Sequence, residues 1–400
     1  MSGRTAERRG LLAAFSAYGL LWGAWSAVLP DVQERTGTSD GALGLALGAL
    51  AVAALPAMPL AGRLVDRHGA RRLLPAALLA FGVAGSLPGL ATSPLGLVLA
   101  LVALGATSGL LDVVANTATA AWERAEADRL LNAVHGCFSA GVLGGAVVTG
   151  LARGAGATPP QVLTAAGVLL LVTGLAQPAY RRVVQAAAGP ARRRPPALLL
   201  GLGALIAAAF LVEDAVQTWS ALHVERDLGA PPEVGGLGPG LFAGAMAAGR
   251  FTAHAVHRPG SETRLVVGGA GLLTAGVLAF ALAPVAWLAL AGAALAGAGV
   301  SVLAPTLLSV VGARSAPGRQ GADMALVTTL SYLGFVLGPV LVGVVSAATT
   351  LPTALALLSG LAAAIALSAP VLLRTPPAGD GGAPPGQAQG DDVTPASRST

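Results

Sequence analysis

Lysine is absent from this chain of 400 residues, so all 24 basic residues are arginine. Charge of either sign is scarce, at 11% of residues, where soluble domains carry about 25%. That scarcity excludes an ordinary water-soluble body. The single cysteine, Cys137, lies in an apolar run and leaves no disulfide framework and no multi-cysteine metal site. The five histidines (His68, His135, His223, His254 and His257) form no H-E-x-x-H pair. No soluble ATPase region with a phosphate loop is present to drive a pump. Neither an enzyme, a metal nor a cofactor is therefore expected.

What the chain has instead is 54% hydrophobic residues, a mean hydropathy of +0.72 and 55 glycines. A membrane span needs about 20 apolar residues. Such runs occur at 11–30, 41–61, 73–91, 95–120, 132–152, 160–180, 197–219, 233–254, 264–283, 286–311, 323–346 and 352–373. In hydrocarbon the backbone must satisfy its own polar groups, so the expected fold is all-α: a polytopic membrane protein with 12 transmembrane helices. A pI near 10.5 invites a nucleic-acid reading, but the distribution of arginine opposes it. Only Arg35, Arg153 and Arg226 fall on one side of this topology. The others share the side that positive-inside counting assigns to the cytoplasm. A multi-pass protein of the cell membrane with both termini cytoplasmic follows, with membrane lipid and not nucleic acid around it. Arg4, Arg8 and Arg9 before the first run imitate a signal peptide. That run ends in Pro30-Asp31 and not at a small-residue cleavage site, so it is read as a retained span.

Residues 181–196 carry five Arg and three Pro and divide the spans six and six. The expected organisation is a six-helix bundle over 1–180, a cytoplasmic linker over 181–196, a second six-helix bundle over 197–373 and a disordered cytoplasmic tail over 374–400. The halves look duplicated. Trp25-Ser26-Ala27 ends span 1 and Trp219-Ser220-Ala221 ends span 7; Ala61-Gly62-Arg63 closes span 2 and Ala248-Gly249-Arg250 closes span 8. Gly141, Gly145 and Gly150 of span 5 recur as Gly334, Gly338 and Gly343 of span 11.

Between spans 2 and 3 stands Gly62-Arg-Leu-Val-Asp66-Arg67-His-Gly69-Ala-Arg71-Arg72, read as a tight, charge-dense loop. With twelve spans, two related pseudo-symmetric bundles and a basic central loop, this string resembles the major facilitator superfamily (MFS). A closer likeness runs through Gly109-Leu-Leu-Asp112-Val-Val-Ala-Asn116, Glu123, His135-Gly136-x-Phe138-Ser139-x-Gly141, Glu213-Asp214-Ala215 and Trp219-Ser220. It is similar to the MosC-like subfamily of bacterial permeases. The resemblance implies secondary transport by alternating access. It also implies a cytoplasmic gate of Gly62, Asp66, Arg67, Gly69, Arg71, Arg72 and Glu123. In that gate Asp66 meets the start of span 11 near Gly321–Asp323, and the Arg pairs with Glu123 when the inner side is shut. Two departures stand out. His254 replaces the acid expected in the second-half copy of the loop. Span 5 lacks the Gly-Pro pair, and span 4 the Arg, of drug/proton antiporters.

Asp112 is the leading candidate for a transport site, about eight residues and ~12 Å from the inner end of span 4. An acid that deep costs roughly 2.5–3.5 kcal/mol to insert and usually faces a cavity. Asn116 lies one turn away on the same face, and His135 of span 5 is expected at that height, completing a proton-coupling cluster. A structural clamp between spans 4 and 5 is the competing reading. Tyr18 and Trp22, with Trp25, share a face of span 1 and can form an aromatic wall. Thr328 and Tyr332 of span 11 are candidate hydrogen-bonding groups, together with Thr329, Ser331, Ser301 and Thr306. Glu213 and Asp214, ~24 Å along span 7, are expected at the outer mouth beside a belt residue, Trp219. The reading is a monomeric secondary active transporter moving a small-molecule solute with H+, by symport of a sugar- or inositol-like compound. Proton-coupled export of drugs or amphipathic metabolites, and a non-transporting membrane receptor, are the alternatives.

Overall fold

A computed structural model describes residues 2–126, 128, 130–178, 197–256, 260–315 and 320–374. These residues are helical with short connections: α1 (Ser2–Thr36), α2 (Asp40–His68), α3 (Ala70–Leu90), α4 (Pro94–Glu126), α5 (Leu131–Gly154), α6 (Pro159–Leu175), α7 (Ala197–Leu222), α8 (Pro232–Gly235), α9 (Leu237–Val256), α10 (Glu262–Ala281), α11 (Ala286–Val300), α12 (Leu303–Arg314), α13 (Gln320–Ala348) and α14 (Leu351–Leu373). Among the described residues, ten segments are long and apolar enough to cross a membrane, one of them α11 and α12 together. With the shorter α6 and the α8–α9 pair, twelve passes result, each matching one expected run to within several residues. Both described chain ends lie at one end of the bundle, called here the terminal end; the opposite one is the far end. The proposed linker at 181–196, and the tail beyond Arg374, lie outside the described residues.

Two breaks have local causes. Pro305 lacks the amide that would bond the carbonyl of Ser301, and α11 gives way to α12 at Ser301 and Val302. Beyond Leu222, α7 widens into a π turn over His223–Asp227, which carries the helix on past the apolar run. The Arg-rich string at 62–72 departs from expectation. It is almost wholly helical, with α2 continuing to His68, and only Gly69 turns the chain, at φ +82°. A helix can outlast the hydrocarbon because its own hydrogen bonds do not depend on lipid, whereas the reversal needs the left-handed backbone that glycine adopts freely.

Helices α1 to α6 pack chiefly on one another, as do α7 to α14; α2 against α13 and α5 against α8 and α9 join the two sets. The repeated glycines show why. A Cβ on Gly141 would strike the Ser16 carbonyl of α1, and one on Gly334 the Ala207 carbonyl of α7. Gly145 and Gly338 face the carbonyls of Leu20 and Leu211 in the same way. The third pair works across the halves: Gly150 meets Pro232 and Gly236, and Gly343 meets Gly44 and Asp40. Small residues here let backbones approach closely. Gly145→Val is therefore expected to lower stability by about 3 kcal/mol, the upper range for overpacking. Gly144→Val, where a Cβ meets nothing within 4 Å, should leave it unchanged. Thermal unfolding in detergent or nanodiscs compares the two.

Candidate transport cavity

Where α1, α2, α4 and α5 face α7, α9 and α13, they leave a cavity of about 290 Å³. Its wall is mostly apolar and aromatic. Tyr18, Trp22 and Trp25 enter from α1, Phe138 from α5, and Tyr332 and Phe335 from α13. The i, i+4, i+7 spacing on α1 puts its three aromatics on one face, and Phe81 packs edge-on against Tyr18 behind them, at 5.0 Å between ring centroids. The Tyr18 hydroxyl shares a 2.9 Å hydrogen bond with Ser108 of α4.

Asp112 projects into this cavity from α4, and its carboxylate is held from two sides. Asn116 Nδ2 donates to Oδ1 at 3.0 Å, and the Tyr332 hydroxyl donates to Oδ2 at 3.1 Å. The first bond is local, between residues one turn apart. The second joins α4 to α13 and so ties one half of the chain to the other. His135 Nε2 lies 3.2 Å from Asn116 Oδ1, so Asp112, Asn116 and His135 are brought together as a hydrogen-bonded row, with His135 at its exposed end. Tyr332, expected only as a general hydrogen-bonding group, is the direct partner of Asp112. Thr328, one turn earlier on α13, does not line the cavity, and neither do Ser301 and Thr306.

Glu213 and Asp214 are placed differently from expectation. Both line the central cavity with Gln217 and Thr218, and Glu213 lies 3.9 Å from Arg250 of α9. Because the helix runs on through the π turn to Asp227, these acids fall well short of its far end. Trp219 is fully buried, so it is no interface anchor; the exposed tryptophan is Trp287. At the terminal end Asp66, Arg67 and Arg72 are exposed. Arg71 is buried and pairs at 3.6 Å with Glu7 of α1, which reaches this turn because α1 extends beyond its apolar run. Glu123 accepts hydrogen bonds from the backbone amides of Leu130 and Leu131, the latter at 2.8 Å. It thereby satisfies free donors at the start of α5 and does not pair with an arginine of the turn in this conformation.

The far end holds a constellation that sequence reasoning missed. Arg153 at the end of α5 donates Nε to Asp31 of α1 at 2.7 Å, and its Nη2 also bonds that carboxylate. Nη1 bonds the Ala27 carbonyl at 2.6 Å and Glu225 at 2.7 Å, and Nη2 reaches Glu225 at 2.8 Å. All five guanidinium hydrogens are thus used. Alongside, Asp40 of α2 accepts from Arg226 at 2.7 and 3.0 Å, from Ser346 of α13 at 2.6 Å and from Gln33 at 2.8 Å. The available signal was that charges at this end are few and of both signs; reading it would have meant pairing residues 72 and 122 positions apart.

The comparisons agree with this architecture. The family model of the Major Facilitator Superfamily matches residues 10–291, and the chain belongs to that family of membrane transporters. It is 28% identical over 367 residues to an MFS-type transporter of Yersinia pestis, covering 90% of this chain and 94% of that protein. Membrane protein MosC of Rhizobium meliloti is 27% identical over 345 residues, 85% of this chain and 84% of MosC. Among solved structures, a variant of the nucleoside transporter NupG superposes with a TM-score of 0.74 at 13% identity, over 92% of this chain and 100% of that one. A bacterial homologue of the lysosomal transporter Spinster, inward-facing and occupied, gives 0.71 at 15%, over 94% and 98%.

Proposed function

We propose that this protein carries a small organic solute together with a proton, as a symporter of a sugar- or inositol-like compound. In this reading the units 1–180 and 197–373 rock about the shared cavity. The observation that carries it is Asp112: a carboxylate in a mostly apolar wall, bonded to Tyr332 across the two halves. A proton on Asp112 or a hydroxylated solute beside it competes with that bond, so occupancy and the relative position of the halves are coupled. Aromatic faces suit the apolar faces of a sugar ring, while Asn116, Ser108 and Tyr18 supply hydrogen-bonding groups. NupG, a nucleoside transporter by its name, is a precedent within the same fold for a hydroxylated, ring-bearing cargo.

Orientation follows from arginine. With the terminal end in the cytoplasm, nearly all of the positive charge faces inward. The ion pairs at the far end then close the outer side, while Asp66, Arg67, Arg72 and His135 stand exposed toward the cytoplasm. The conformation is inward-facing on this reading. Asp66 acts in the opposite state, against the start of α13. Asp66→Ala is expected to insert normally and to lose most transport; normal uptake by a well-expressed variant excludes that role.

The deciding measurement is solute-dependent proton movement in proteoliposomes across a panel of sugars, inositols, nucleosides and amphipathic amines. Uptake with acidification of the lumen supports symport, proton movement in the opposite sense supports the exporter, and silence across the panel from folded protein favours a receptor.

A further inference from the structure

The cavity wall carries three carboxyl groups, Asp112 from α4 and Glu213 and Asp214 from α7, and among the described residues no basic side chain lines it. Two of the three have partners. Asp112 is held by Asn116 and Tyr332. Glu213 has Arg250 of α9 at 3.9 Å, beyond hydrogen-bond length. Asp214 is different: among the described residues no group donates a hydrogen bond to it and no cation pairs with it. A carboxylate left alone in a mostly apolar wall is costly, and that cost falls when a cation enters the space beside it.

Its neighbours on the helix are acceptors too. Gln217 and Thr218 stand three and four residues on, one turn along the same face of α7, and both line the cavity. Gln217 turns its Nε2 toward the Pro239 carbonyl of α9, at 3.3 Å, which leaves its Oε1 to accept. Thr218 is buried, and its hydroxyl oxygen accepts as well. A primary ammonium has three hydrogens to give and no lone pair, so it complements this set. A hydroxyl has one hydrogen and meets the set only in part. The opposite walls suit the same group. Aromatic rings of α1, α5 and α13 line the cavity, and the face of such a ring attracts a cation.

We propose that this turn of α7 is a cation subsite: Asp214, with Gln217 and Thr218, receives a protonated amine carried by the solute. The subsite narrows the cargo of the transport reading, on which it rests, from a neutral sugar-like compound to one bearing an ammonium group. It also separates two tasks between opposite halves of the chain. Asp112 on α4 serves the proton, and Asp214 on α7 serves the solute. Arg250 limits the strength of the subsite by offsetting the charge of Glu213. With that arginine removed, the local field becomes more negative and the ammonium binds more tightly.

The test is equilibrium binding to the full chain in nanodiscs of zwitterionic lipid, without any gradient. Tryptophan fluorescence reports it, since Trp22 and Trp25 stand on the cavity wall. The probes are matched pairs that exchange a hydroxyl for an amine: glucose and glucosamine, cyclohexanol and cyclohexylamine, phenethyl alcohol and phenethylamine, each run against empty nanodiscs. In at least one pair the amine is expected to bind about tenfold more tightly than the alcohol, the scale of a hydrogen bond to a charged group. Asp214→Asn should bring that pair level, Thr218→Val should weaken the amine several-fold, and Arg250→Gln should strengthen it. Equal binding within every pair, silence from all of them, or an amine preference that survives Asp214→Asn each overturns the proposal. If Asp214→Asn fails to fold, the other two variants decide, and an amine affinity that neither of them moves overturns it. Transport is measured apart, as uptake into proteoliposomes. An amine that binds and is not carried sinks the transport reading and leaves the subsite standing; uptake of a neutral sugar with no preference for its amine does the reverse.

Discussion

Asp112→Asn abolishes solute-driven proton movement, down to the level of empty proteoliposomes, while leaving a folded protein at least as heat-stable as the parent. The two halves of this expectation come from the same geometry. Asparagine keeps an oxygen that can accept from Tyr332 and remains within reach of Asn116, so the hydrogen-bonded frame at the cavity wall persists. What disappears is the carboxylate, the group to which the proposed proton coupling is assigned. An acid near the middle of a span costs roughly 2.5–3.5 kcal/mol on insertion scales, and removing it relieves that cost. Gain of stability with loss of activity marks a residue kept for function. Tyr332→Phe should act more mildly. It leaves Asp112 with Asn116 alone, loosens the tie between α4 and α13, and slows transport without uncoupling it. If Asp112→Asn drives protons as the parent does while losing thermal stability, Asp112 is the structural clamp and the proton travels elsewhere.

The second large effect is expected at Arg153. Its side chain is 1% exposed, and it gives every one of its hydrogens to Asp31, Glu225 and the Ala27 carbonyl. Arg153→Ala leaves two carboxylates facing each other across the vacated space. Breaking one side of a buried pair typically costs 3–5 kcal/mol; Asp31 is 32% exposed, so water tempers the loss to about 3 kcal/mol, the lower part of that range. Because the network joins α1 and α5 to the turn after α7, most of that loss falls on the state closed at the far end. At about 1.4 kcal/mol per tenfold, the far-end-open population should rise more than a hundredfold. Arg153→Lys is not a rescue, since an ammonium has three hydrogens and no planar fork. The check is labelling of a cysteine placed at Ser26, on the cavity wall, by a membrane-impermeant thiol reagent. Fast labelling in Arg153→Ala and slow labelling in the parent are expected, and equal rates would show that the ion pairs do not hold this end shut.

These two sites differ in how far the sequence exposed them. Asp112 and Asn116 are neighbours by helical spacing alone, and an acid inside a 20-residue apolar run announces itself. His135 followed from counting residues from the ends of adjoining spans. The repeated glycines likewise pointed to equivalent packing, and the structure shows Gly141 and Gly334 meeting equivalent carbonyls of α1 and α7. The string at 62–72 is helical to His68 and not a loop, because its charge ends only the hydrocarbon and not the helix. Glu213 and Asp214 lie deeper than the apolar run alone implies, for the same reason. The apolar run stops at residue 219, but the helix does not.

By itself, then, the sequence determined the all-helical membrane fold, the twelve passes, which connections share a side and that Asp112 is an acid set inside an apolar span. These rest on local facts: the length of apolar runs, the period of the helix and the cost of charge in lipid. Tertiary structure alone decided that Tyr332 meets Asp112 from 220 residues away, that Glu213 and Asp214 face the same hollow, and that Arg153 fastens three helices. Such pairings depend on which helices become neighbours and at what height, and nothing in the periodicity of one helix records the register of another.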